Sequence, residues 1–117
     1  MSKFLNSIGL LYTGTGVSSG VLNTGSNSVT MLGGYNSSST SYWLMLFDAT
    51  ALPANGTVPN VQCLVDFGIS TAPTEGSKNF HPFSVSFVNG IVFAWSSTPS
   101  TLTAISNASG LTYELWG

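Results

Sequence analysis

Pro82-Phe83-Ser84-Val85-Ser86-Phe87-Val88-Asn89-Gly90-Ile91-Val92-Phe93-Ala94-Trp95-Ser96-Ser97 is the stretch that decides the fold class. On both sides of Asn89-Gly90 the pattern reads with a period of two, the spacing at which a strand turns successive side chains to opposite faces. β-Branched and aromatic residues dominate both halves, as on a pleated, half-buried surface. Asn-Gly between apolar runs is the strongest short-range hairpin signal, because both turn residues then take positive φ. A two-residue turn sets Val88 opposite Ile91, Ser86 opposite Phe93 and Ser84 opposite Trp95. Phe83, Val85, Phe87, Val92 and Ala94 then share the other, uniformly apolar face, which is expected to be the core. Val88, Ile91, Phe93 and Trp95 form a second apolar stripe, roughly a few hundred Å2, more than a monomer usually leaves in water.

Outward from this stretch the pattern repeats. Runs rich in Val, Ile, Phe, Tyr, Trp and Thr alternate with Gly, Asn, Ser and Pro clusters. Candidate strands are Ser7 to Tyr12, Gly16 to Leu22, Ser28 to Tyr35, Ser41 to Asp48, Val61 to Ile69, Pro82 to Val88, Ile91 to Ser97 and Leu111 to Trp116. Helix signals are nearly absent. The expected fold is all-β, an antiparallel β-sandwich or jelly roll of about eight strands. Residues 1–117 read as a single domain, with 1–28 either a loosely ordered arm or edge strands. In Ser41 to Asp48, Trp43, Met45 and Phe47 share one side while Tyr42, Leu44 and Leu46 share the other. Both sides need cover, from the chain's own loops or, the preferred expectation, from another subunit. Val61 to Ile69 is expected to face inward through Val61, Cys63, Val65, Phe67 and Ile69. The loops read as Asn36 to Thr40, Leu52 to Pro59 around an Asn55-Gly56 turn, and Thr71 to Asn79.

Composition narrows the function. Only 2 Lys/Arg and 4 Asp/Glu occur in 117 residues, 5% of the chain, where an ordinary domain carries about 25%. In their place stand 19 Ser, 13 Thr, 9 Asn and 13 Gly. Two cations, Lys3 and Lys78, cannot neutralise a run of phosphates, which excludes electrostatic binding to nucleic acid. Nor can they form a polybasic membrane patch. No apolar run approaches the roughly 20 residues of a spanning helix, and Met1 to Ser7 does not read as a signal peptide. A net charge of −2 offers little repulsion between copies, so association in a larger assembly is expected.

Chemistry is sparse. His81 has no Gly-x-Ser-x-Gly partner, and one His with one Cys leaves a tetrahedral zinc site two ligands short. Cys63, between Val61 and Val65, reads as a buried structural thiol. Asp48, Asp66, Glu75 and Glu114 share no glycosidase signature, and Asp48 lacks a calcium-loop context. Gly14-Thr15-Gly16 is not followed by a phosphate-loop lysine. Sequons at Asn36, Asn55 and Asn107 suit chance in so Asn-, Ser- and Thr-rich a chain. The expectation is therefore a non-enzyme with no cofactor and no metal. Two uses remain for the Val88, Ile91, Phe93 and Trp95 stripe and the Tyr42, Leu44 and Leu46 side. One is contact between subunits. The other is a glycan platform on Trp95 and Phe93 flanked by Ser84, Ser86 and Asn89. Aliphatic Val88 and Ile91 favour the subunit contact.

Two segments carry a resemblance. Leu46-Phe47-Asp48-Ala49-Thr50-Ala51-Leu52-Pro53-Ala54-Asn55-Gly56-Thr57-Val58-Pro59 and Gly90-Ile91-Val92-Phe93-Ala94-Trp95-Ser96-Ser97-Thr98-Pro99-Ser100-Thr101-Leu102-Thr103 resemble small β-rich virion proteins of tailed bacteriophages. The resemblance implies a structural virion role, either a capsid decoration (cement) protein or a head or tail fibre component. It also implies a homotrimer seated on a major capsid or other virion protein, and a location in the virion after assembly in the host cytoplasm. It supplies no catalytic residues.

Overall fold

The computed structural model describes residues 10–38, 40–63 and 77–117. These form eight strands and no helix: β1 (Leu10–Thr15), β2 (Ser19–Asn23), β3 (Asn27–Asn36), β4 (Trp43–Phe47), β5 (Val61–Cys63), β6 (Ser77–Phe87), β7 (Ile91–Ser96) and β8 (Leu111–Trp116). Two four-stranded antiparallel sheets, ordered β1-β8-β3-β6 and β2-β7-β4-β5, pack face to face. Successive strands change sheet at every step except β4 to β5, which is the winding of a jelly-roll sandwich. Residues 10–28 supply β1, β2 and the start of β3, with β1 and β2 at sheet edges. Positions 7–9 and 64–76, and the side chains of Cys63 and of residues 77–83, lie outside the described residues. The inward faces expected for Cys63 to Ile69 and for Phe83, and the loop expected from Thr71, fall there.

The hairpin expected at Asn89-Gly90 does not form. β6 pairs with β3, which sets Ser86 opposite Ser28 and Val85 opposite Val29. β7 pairs with β2 and β4, which sets Phe93 opposite Gly20 and Leu46, and Trp95 opposite Leu44. Residues 88–90 therefore carry the chain from one sheet to the facing one. Neither Asn89 nor Gly90 takes positive φ. Two distant contacts hold the crossing. The Asp48 carboxylate accepts hydrogen bonds from the N–H of Asn89 at 2.7 Å, Val88 at 3.2 Å and Gly90 at 3.3 Å. Gly90 is required for close approach, since a Cβ there would lie 2.5 Å from the carbonyl oxygens of Ala49 and Asn23.

The change of sheet inverts the expected faces of β7. Ile91, Phe93 and Trp95 point into the sandwich with Leu44 and Leu46. From the other sheet they meet Val29, Leu32, Phe87, Leu111, Tyr113 and Leu115. The Phe93 and Tyr113 rings sit with centroids 4.0 Å apart at 32°, a pairing that contributes about 0.5–1.5 kcal/mol beyond area burial. The edge strands make room for it: Gly14 lies opposite Tyr113 and Gly20 opposite Phe93. A Cβ would come to 2.6 Å from the Tyr113 ring at Gly14 and to 3.0 Å from the Phe93 ring at Gly20. Burial pushes the Tyr113 phenol above its ordinary pKa.

The outward side of β4 and β7 is covered as well. Met45, Phe47, Val92 and Ala94 form a second buried cluster closed by Leu102, with Trp43 and Ala49 at its margin. Cover for the Ser41 to Asp48 ribbon thus comes from the chain's own loops, and the second subunit expected there is not needed.

Candidate functional site

Two loops build that lid, residues 48–60 between β4 and β5 and residues 97–110 between β7 and β8. Ser96, fully buried, organises the second loop. Its Oγ accepts from the N–H of Thr103 at 2.9 Å and of Thr98 at 3.2 Å, and donates to the Thr98 carbonyl at 2.8 Å. A buried hydroxyl with all three valences used folds the loop back on its own strand and brings Leu102 over the apolar face. The loops then lock together. Gly56 N–H donates to the Leu102 carbonyl at 2.8 Å, Leu102 N–H to the Thr57 carbonyl at 2.9 Å, and Ala104 N–H to Asn55 Oδ1 at 2.9 Å. The expected Asn55-Gly56 turn closes with Thr57 N–H on the Ala54 carbonyl, Gly56 at φ 95°. The segments Leu46–Pro59 and Gly90–Thr103 are therefore one folded unit.

The residues singled out as an interface are not gathered on a surface. Ile91, Trp95, Leu44 and Leu46 are 0% exposed and Phe93 1%, all within the core. Tyr42 is partly buried against that core. Val88 alone stands out, 70% exposed, at the crossing. Trp95 and Phe93 accordingly offer no platform to a sugar. The cause is the crossing at 88–90, which turns the larger side chains of β7 inward. No family model, curated protein or solved structure matches this chain.

Among the described residues the ionisable groups do not converge. Asp48 closes the end of β4, and its three backbone donors, first those of Asn89 and Val88, hold its carboxyl below the ordinary value. Glu114 belongs to the other sheet, on the outer face of β8, in register with Thr13 and Gly33 of its neighbours β1 and β3. The two carboxylates thus serve different sheets and form no acid/base pair. Asp66 and Glu75 fall outside the described residues, as does the His81 side chain. Among the described residues no three His, Cys, Asp or Glu groups gather where a metal could bind. A shallow depression of about 380 Å3, lined by Ser26, Asn27, Ser28, Ser86, Phe87 and Val88, holds no ionisable group. Of the sequon asparagines, Asn36 is buried and bonded to Thr40 and Ser38.

Residues 1–28, expected as a loosely ordered arm or edge strands, supply β1 and β2 at sheet edges, and the sequence did not single out the aliphatic side chains exposed there. Leu10, Leu11, Val17 and Val21 are 39–46% exposed in this part of the chain. A signal existed, since no charged residue and no proline occurs between Lys3 and Asp48.

Proposed function

We propose that this chain is a non-enzymatic structural virion component: a capsid decoration (cement) protein that self-associates, as a trimer, and seats on a major capsid or other virion protein. The jelly-roll strand order carries the reading, because this architecture recurs in viral coat domains. Lectins and cupins share it, so fold alone does not choose. Two further observations favour a structural role. The exterior of Ser, Thr, Asn and Gly with six charges in the whole chain suits a protein packed among neighbours. The two segments that resemble phage virion proteins fold together as a single unit of β4, β7 and their lid. The test is made on particles released from cells that carry the coding sequence, purified on a density gradient and analysed by quantitative mass spectrometry. The chain is expected in the particle band at a fixed copy number relative to the shell protein. Recovery only in the soluble lysate overturns the reading.

A further inference from the structure

We propose that Asn89 is a site of spontaneous deamidation, with the Gly90 nitrogen as nucleophile and the Asp48 carboxylate as its base. The inference is independent of the virion reading. An asparagine loses ammonia when the backbone nitrogen of the next residue attacks its side-chain carbonyl carbon and closes a cyclic imide. Glycine in the next position leaves that nitrogen unhindered, because it carries no Cβ. Asn-Gly occurs twice in the chain, at Asn55-Gly56 and at Asn89-Gly90, and the fold treats the two differently.

At the first, both reacting groups are engaged. Gly56 N–H donates to the Leu102 carbonyl at 2.8 Å, and Asn55 Oδ1 accepts from Ala104 N–H at 2.9 Å. Ring closure there has to open the lid. At the second, the Asn89 side chain is exposed, and its backbone N–H is held by Asp48 at 2.7 Å. Gly90 N–H donates not to a carbonyl but to Asp48 Oδ1, 3.3 Å away. A carboxylate takes up a proton far more readily than a carbonyl, and a base already at the nucleophile's N–H is the arrangement that proton transfer requires. The balance closes within the chain. Asp48 accepts the Gly90 amide proton as the bond from nitrogen to Cγ forms, the proton passes to the side-chain nitrogen, and ammonia leaves. Water then opens the imide at either carbonyl, to aspartate or to isoaspartate. Both products strain the crossing. Aspartate puts a second carboxylate on the residue whose amide Asp48 holds. Isoaspartate adds a methylene to the backbone next to Gly90, where even a Cβ would lie 2.5 Å from two carbonyl oxygens.

The test is peptide mapping by mass spectrometry of the full chain incubated at neutral pH, once in buffer and once in denaturing urea. In buffer Asn89 is expected to convert at least about tenfold faster than Asn55, a barrier difference of about 1.4 kcal/mol. In urea the folded contacts are gone and glycine follows both asparagines, so the two rates should be equal. Asp48→Asn keeps an oxygen that accepts the amides but takes up no proton. Its conversion at Asn89 should fall severalfold, with the Asn55 rate unchanged as the internal reporter of folding. Conversion at Asn55 that matches or outpaces Asn89 in buffer, no conversion at either, or a preference for Asn89 that persists in urea overturns the site. A rate at Asn89 that is unchanged or faster in Asp48→Asn overturns Asp48 as the base.

Discussion

Ser96 and Asp48 show how single polar groups direct this chain. Ser96→Ala deletes the buried acceptor for two part-buried amides, those of Thr98 and Thr103. Losing the hydrogen bonds of part-buried donors costs about 0.5–1.5 kcal/mol each. The variant is expected to unfold at lower urea with an unchanged slope of free energy on denaturant. Asp48 acts through charge. Its folded-state pKa lies below the ordinary value because three amides favour the ionised form. Its contribution is therefore complete above the ordinary carboxylate range and is lost as pH falls towards the depressed folded value. The urea midpoint should decline on acidification through that window, and less steeply in Asp48→Asn; equal declines in the two proteins would remove Asp48 from this role.

At the scale of elements, the lid is the part most open to a single change. Leu102 closes a cluster of Met45, Phe47, Val92 and Ala94, so Leu102→Ala is expected to cost about 2–5 kcal/mol. It should also raise the fluorescence of a dye that binds apolar surface, since the outward side of β4 and β7 loses its cover. The strands themselves were legible in sequence because a period of two is a local property, written within each run. Sheet membership was not, because it depends on Asp48 reaching amides 40 to 42 positions away and on Gly90 meeting two carbonyls. With both sides of β7 apolar, alternation alone could not say which faced inward. Side-chain volume could have, since Ile91, Phe93 and Trp95 outweigh Val92 and Ala94. The interface expected at Phe93 and Trp95 failed for the same reason, and the cover of β4 was hidden because Ser96 and Leu102 act through a loop whose fold no periodicity encodes.

For the whole molecule the absence of charge makes a prediction about forces. Residues 4–47, which supply β1 through β4, contain no ionisable acid or base other than tyrosine. The proposed self-association, where it draws on this region, has no ion pair to screen, although raising ionic strength from about 0.01 M to 1 M shortens the screening length from about 30 Å to 3 Å. Apolar burial responds otherwise, being strengthened by excluded salts such as sulfate. The dissociation constant from sedimentation is expected to stay within about twofold across that range of sodium chloride, a change of under about 0.5 kcal/mol, and to fall in sodium sulfate at equal ionic strength. Dissociation as chloride rises would instead assign the contact to the few charged groups elsewhere in the chain, Lys78 and Glu114 among them.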